Sequence, residues 1–136
     1  MFFLGEDHEE ALKIAAKTYG VRYPHLSIHL ILLYLLTSSE DIRKHLSDCV
    51  TPSLSIRPEA IFKPWQTGSS KGITRLAFNL FNEKALSVDE VPKRRQMDEL
   101  YMYTPAMLFR HLDDRQARVA VEAISMYFHL FRGMPM

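Results

Sequence analysis

The residues from Leu26 to Leu36 leave this chain little freedom in how it folds. Leu26, Ile28, Leu30, Ile31, Leu32, Leu33, Leu35 and Leu36 cover almost every side of a helix drawn over residues 24–37, and Pro24 suits its first turn. A helix apolar all round is a buried one, so this segment is expected at the centre of the core. Its longest apolar run, Leu30 to Leu36, is far short of the roughly 20 residues a membrane-spanning helix needs.

Helical spacing continues on both sides. In residues 6–19, Ala11, Leu12, Ala15 and Tyr19 recur on one face, acids crowd the first turn, and Gly20 stands where a helix stops. Ser38 and Ser39 offer a cap for a short helix over 39–48. Residues 50–70 change character: Pro52, Pro58, Pro64 and Gly68 punctuate a stretch that still carries Leu54, Ile56, Ile61, Phe62 and Trp65. A loop with that many apolar anchors is expected to pack down on the domain, with one helical turn from Pro58. A helix follows over about 71–82, capped by Ser69 or Ser70, with Ile73, Leu76, Ala77 and Leu80 inward and Lys71, Thr74 and Arg75 outward. Residues 83–95 are polar and read as a mobile connection, 96–103 as a short helix, and Thr104-Pro105 as the start of another that runs to Leu112. Asp113 caps the last helix, 114–132, stopped by Gly133. Its polar residues Arg115, Arg118, Glu122, Ser125, His129 and Arg132 form one line. One flanking seam is Ala117, Val121, Ile124, Phe128 and Phe131; the other is Val119, Ala123, Met126 and Leu130. A helix so flanked is expected to be packed on two sides. No strand-like alternation or repeat competes, so the fold class is all-α: one compact domain over 1–136, of five to seven helices with a Pro-rich central loop.

Composition narrows the setting. A chain of 136 residues with 47% hydrophobic and 24% charged residues is ordinary for one globular domain. Cys49 is the only cysteine, which excludes an internal disulfide and fits a reducing compartment. Met1-Phe2-Phe3-Leu4 lacks a basic n-region and runs at once into Glu6, Asp7, Glu9 and Glu10, unlike a signal peptide; a cytoplasmic protein is expected. A net charge of +1 gives no global steering toward nucleic acid or anionic membrane. The basic excess sits in residues 51–95, with 8 basic and 4 acidic groups.

Pro64-Trp65-Gln66-Thr67-Gly68-Ser69-Ser70, followed by Arg75-Leu76-Ala77-Phe78-Asn79-Leu80-Phe81-Asn82, resembles the centre of an uncharacterised family of small bacterial proteins, one of the domains of unknown function. Phe3-Leu4 with His8, Leu33-Tyr34 before Ser39-Glu40-Asp41, and Phe109 and Leu112-Asp113 before the final helix are similar to it too. Lys93-Arg94-Arg95 and the segment after it look like an insertion. The resemblance implies a helical fold and a bacterial or mobile-element setting, and brings no activity with it.

Several constellations carry a chemical reading beside a plainer one. His25 and His29 stand four apart, a metal-ligand spacing, with His8, His45, Asp41 or Cys49 as the third group needed. Helix-edge or core histidines are the ordinary alternative, and no metal or cofactor is expected. Gly68-Ser69-Ser70-Lys71-Gly72 before a helix has the look of a phosphate cradle, but it lacks P-loop spacing, and a serine cap explains it. Cys49 with His45 makes no recognisable nucleophile frame, and a structural thiol is favoured. Tyr101, Met102, Tyr103 and Met107 sit in a Met- and aromatic-rich stretch that suits either an interface or the core.

The functional expectation is therefore a non-enzymatic helical binding protein. It reads as a small bacterial or phage or mobile-element regulator or inhibitor acting through a protein partner. Nucleic-acid binding by the basic middle third, and a small metal protein or enzyme around His25 and His29, are the alternatives. The binding surface is expected at Trp65 and Gln66, rimmed by Arg57, Lys63, Lys71 and Arg75. Self-association or an apolar interface is expected, because the last helix and the Met/Tyr segment before it carry more apolar surface than one small core needs, and a homodimer is the simplest way to cover it.

Overall fold

In a computed structural model of the chain, residues 1–82 and 105–132 are described. Among them the elements are α1 (Glu6–Tyr19), α2 (Ile28–Thr37), α3 (Glu40–Arg43), α4 (Leu46–Cys49), a 3-10 turn (Pro58–Phe62), α5 (Gly68–Asn82), α6 (Pro105–Arg110) and α7 (Asp114–Arg132). The protein is all-α; extended pairing in the described residues is one isolated antiparallel bridge between Val50 and Ile56.

α2 is the centre the sequence demanded. Every residue from Leu30 to Thr37 is buried, Tyr34 included. α1, α5 and α7 pack around it, with α3 against its end. A buried helix end must place its carbonyls: the Thr37 hydroxyl donates to Leu33 O at 2.7 Å and the Ser38 hydroxyl to Leu35 O at 2.6 Å. The helix starts later than Pro24 suggested. Ser27 caps it by accepting from Leu30 N at 3.1 Å, and the Tyr23–Pro24 peptide before it is cis. α1 ends in a Schellman turn: Gly20 has φ 70°, and Val21 N donates to Ala16 O at 2.8 Å. The expected 39–48 helix is broken at Lys44-His45 into α3 and α4.

The Pro-rich stretch packs down as expected, burying Leu54, Ala60 and Ile61. α5 differs from its expected form. It begins at Gly68 because Thr67 and Ser70 cap reciprocally: Ser70 N donates to Thr67 Oγ1 at 3.2 Å, and Thr67 N to Ser70 Oγ at 2.8 Å. Thr74 and Arg75, placed outward by pattern, are 0% and 2% exposed. The expected pattern assumed one buried stripe, but α5 is enclosed on more than one side, by α2, α6, α7 and the 3-10 turn. Asp113 caps α7 as expected, its Oδ1 accepting from Gln116 N at 2.8 Å while Gln116 Oε1 accepts from Asp113 N at 3.0 Å.

α7 is packed on one side rather than two. Val119, Ala120 and Ala123 are fully buried, whereas Val121, Ile124 and Phe128 are 59%, 41% and 58% exposed. The expected helix over 96–103, the connection over 83–95 with Lys93-Arg94-Arg95, and the stop at Gly133 lie outside the described residues.

Candidate functional site

The first residues of the chain are folded onto the helices by polar contacts. His8, on the first turn of α1, is buried. Its Nδ1 accepts from Leu4 N at 3.2 Å, so the ring proton lies on Nε2 and donates to Tyr34 O at 2.9 Å. Burial lowers the His8 pKa below the ordinary 6.5, the Arg43 charge adds to this, and the Tyr34 carbonyl opposes it. The Tyr34 hydroxyl donates to Phe2 O. Its pKa is raised, by burial first and by Glu122 second, with Arg118 opposing. Phe3 packs edge-on against both His8 and Tyr34, the Arg118 guanidinium lies 4.0 Å from the Phe2 ring centre, and Arg115 donates to Leu4 O. Phe3, Leu4, His8 and Tyr34, which carry part of the family resemblance, thus form one docking joint.

Beside that joint stands Arg43. Ser39 caps the single turn of α3, accepting from Ile42 N at 3.3 Å, and Ile42 anchors it in the core. That turn leaves Arg43 between two clefts that run along α1. One, of about 280 Å³, is lined chiefly by Ala11, Ile14, Ala15, Thr18, Tyr19 and Leu46. The other, of about 400 Å³, lies at the start of α1 and is lined by Leu4, Gly5, Glu6, Asp7 and His8. Arg43 lines both. Its Nε is buried and meets no hydrogen-bond acceptor among the described residues. A buried donor without an acceptor is unfavourable, and more so when it belongs to a charged group. The exposed Ile14, at 58%, forms the apolar lip of the smaller cleft. Chemically, this groove can hold aliphatic groups along α1 and an oxygen acceptor at Arg43, with the carboxylates of Glu6 and Asp7 at one end.

The loop expected to be the binding surface is tied down. Trp65 Nε1 donates to Asp48 Oδ2 at 2.9 Å, and its ring stacks on His45 at 4.6 Å with an 8° interplanar angle. Gln66 Nε2 donates to Ala60 O and to Thr74 Oγ1, both at 3.1 Å, and Gln66 Oε1 accepts from the Ser70 hydroxyl at 2.6 Å. Arg57 Nε donates to Val50 O at 3.4 Å. Lys63 and Lys71 are half-buried. Arg75, being buried, is no part of an exposed rim. The Trp-Gln-Thr-Gly string thus joins α4, the 3-10 turn and the start of α5.

Gly68 and Gly72 serve packing. A Cβ on Gly72 would lie 2.9 Å from Leu108 O, and one on Gly68 would lie 3.1 Å from the His111 ring, so the glycines admit α6 and the turn after it. His25 and His29 do not share a helix: His25 is exposed in the turn before Ser27, and His29 lies 5.5 Å from the Phe81 ring. Among the described residues no three His, Cys, Asp or Glu side chains are grouped to hold a metal. Cys49 is buried and its thiol is pushed up to about 12 by burial, which makes it a structural thiol at neutral pH. Tyr101, Met102 and Tyr103, and the side chain of Met107, lie outside the described residues.

Sequence pattern could not have found Arg43. It is one charge in a short polar helix, and only the packing of α1 across it makes it distinctive. Ile14 carried a faint signal, an aliphatic residue off the inner face of α1.

Among the described residues no helix is long and apolar enough to cross a membrane. No curated protein and no solved structure matches the chain. A family model does match, over residues 1–131, described as a family of unknown function (DUF6075), and the chain belongs to that family.

Proposed function

We propose that this is a non-enzymatic binding protein, a small cytoplasmic regulator or inhibitor of bacterial or mobile-element origin, which acts through a protein partner held in the groove along α1. The observation that carries this reading is the buried, acceptor-free Arg43 Nε set between an apolar and a polar cleft. The occupant it fits is an amphipathic protein segment. Aliphatic side chains of that segment lie against Ile14, Ala15 and Leu46, one of its oxygens accepts from the Arg43 guanidinium, and a basic side chain faces Glu6 and Asp7. Each of these contacts complements a charge or an apolar surface already present.

The test is a pull-down from the source cell followed by affinity measurement on the recovered partner. Ile14→Glu changes an exposed residue and leaves the core intact, so its thermal melt should match wild type. Arg43→Met removes the donor. Both should weaken binding at least tenfold, about 1.4 kcal/mol or more, and the partner's contact segment should map to an amphipathic stretch with a basic residue. A partner that binds both variants at wild-type affinity would remove the groove from the function.

A further inference from the structure

We infer that α7 is a self-pairing face: two copies of the chain associate through antiparallel contact of their α7 helices. This is independent of the groove along α1. Among the described residues five large hydrophobic side chains are exposed, and Val121, Ile124 and Phe128 are three of them. They lie on one line of one helix. Ala117 and Phe131 extend that line at alternating spacings of four and three, the repeat of a helix-pairing seam. Val119 and Ala123 on the opposite side of α7, and Ala120 at the edge of the seam, are fixed in the core, where α7 packs on α2. The seam is therefore presented on a rigid rod of 19 residues, about 28 Å long.

The stripe is a ridge that another helix can receive between its own side chains. A second copy fits by size and by charge. With two α7 helices antiparallel about a twofold axis, and Val121 set against the partner's Ile124, Ala117 falls opposite the partner's Phe128. A small residue then faces a large one at both ends, and the two seams interlock. The same register brings Asp113 and Asp114, exposed at the start of α7, to the partner's Arg132, exposed at its end. Parallel pairing would instead set Asp114 on Asp114 and Arg132 on Arg132. Antiparallel helix dipoles favour the same choice. The contact is isologous, so it closes at two copies.

Sedimentation equilibrium over roughly 1–300 µM tests this, with circular dichroism and thermal melting as the check on folding. Wild type should be a concentration-dependent dimer in the micromolar range. Ile124→Glu and Phe128→Glu, both at exposed positions, should be monomers with the wild-type melt. Asp114→Arg and Arg132→Asp should each weaken dimerisation at least fivefold, and the double variant should restore most of it. A wild-type monomer throughout the range, or a dimer untouched by Ile124→Glu, overturns the proposal. So does a double variant no tighter than its two parents, because the register requires the restored pairing. Ile14→Glu, which tests the groove, should leave the dimer unchanged.

Discussion

At the scale of single residues, the most consequential group is His8, because its two nitrogens have opposite duties. Nδ1 must accept from Leu4 N while Nε2 donates to Tyr34 O, which only the neutral ring can do. Protonation turns Nδ1 into a donor facing another donor. The folded-state pKa lies below the unfolded value of 6.5, so the unfolded chain binds the proton first. Stability from this group is therefore complete above about pH 6.5, falls as pH drops below that value, and levels off below the folded-state pKa. The slope is at most about 1.4 kcal/mol per pH unit. Urea midpoints between pH 7.5 and 5.5 should fall for wild type. His8→Gln should be less stable at pH 7.5 but nearly flat over the window. An equal decline in both proteins would show that the pH dependence comes from other groups.

At the scale of elements, legibility followed the number of neighbours each helix has. The buried role of α2 could be read directly, since Leu30 to Leu36 have no polar side to present. α1 and the cap of α7 were equally plain from Gly20 and Asp113. α5 was less legible, because a pattern of one apolar stripe does not show that Thr74 and Arg75 are enclosed by elements distant in sequence. Its glycines were read as a helix-start motif, and the reason they are glycines is α6. That reason makes a prediction. Gly72→Ala should gain about 1 kcal/mol from helix propensity, but the new Cβ meets the backbone oxygen of Leu108 at 2.9 Å, and a backbone cannot rotate aside. Overpacking of this kind costs about 1–3 kcal/mol. The net change should be a loss of stability of up to about 2 kcal/mol in urea unfolding, with faster hydrogen exchange in α6. A variant more stable than wild type would show that α6 does not press on α5.

At the scale of the whole molecule, the described part of the chain is held together where its first residues meet α7. Leu4 accepts from Arg115, Phe2 lies under Arg118, and Tyr34 of the central helix donates to Phe2 O. The segment before α1 therefore links α1, α2 and α7, elements that local sequence could describe one by one but could not join. The candidate groove was invisible in the sequence for the same reason: it exists only once α1 lies across Arg43. Removing residues 1–4 should cost more than the loss of a frayed terminus. Phe2, Phe3 and Leu4 are each half-buried against the core cluster, and about half of the 1.5–3 kcal/mol of a fully buried side chain is lost for each. The Nδ1 of His8 and the Tyr34 hydroxyl also lose their partners on this segment. The sum is about 3–7 kcal/mol, a large share of what a domain of this size has in reserve. A chain starting at Gly5 should therefore unfold at a markedly lower urea concentration, and its α7 amides should exchange faster although α7 itself is unchanged. If the truncated chain unfolds at the wild-type midpoint, the first residues do not tie the helices together.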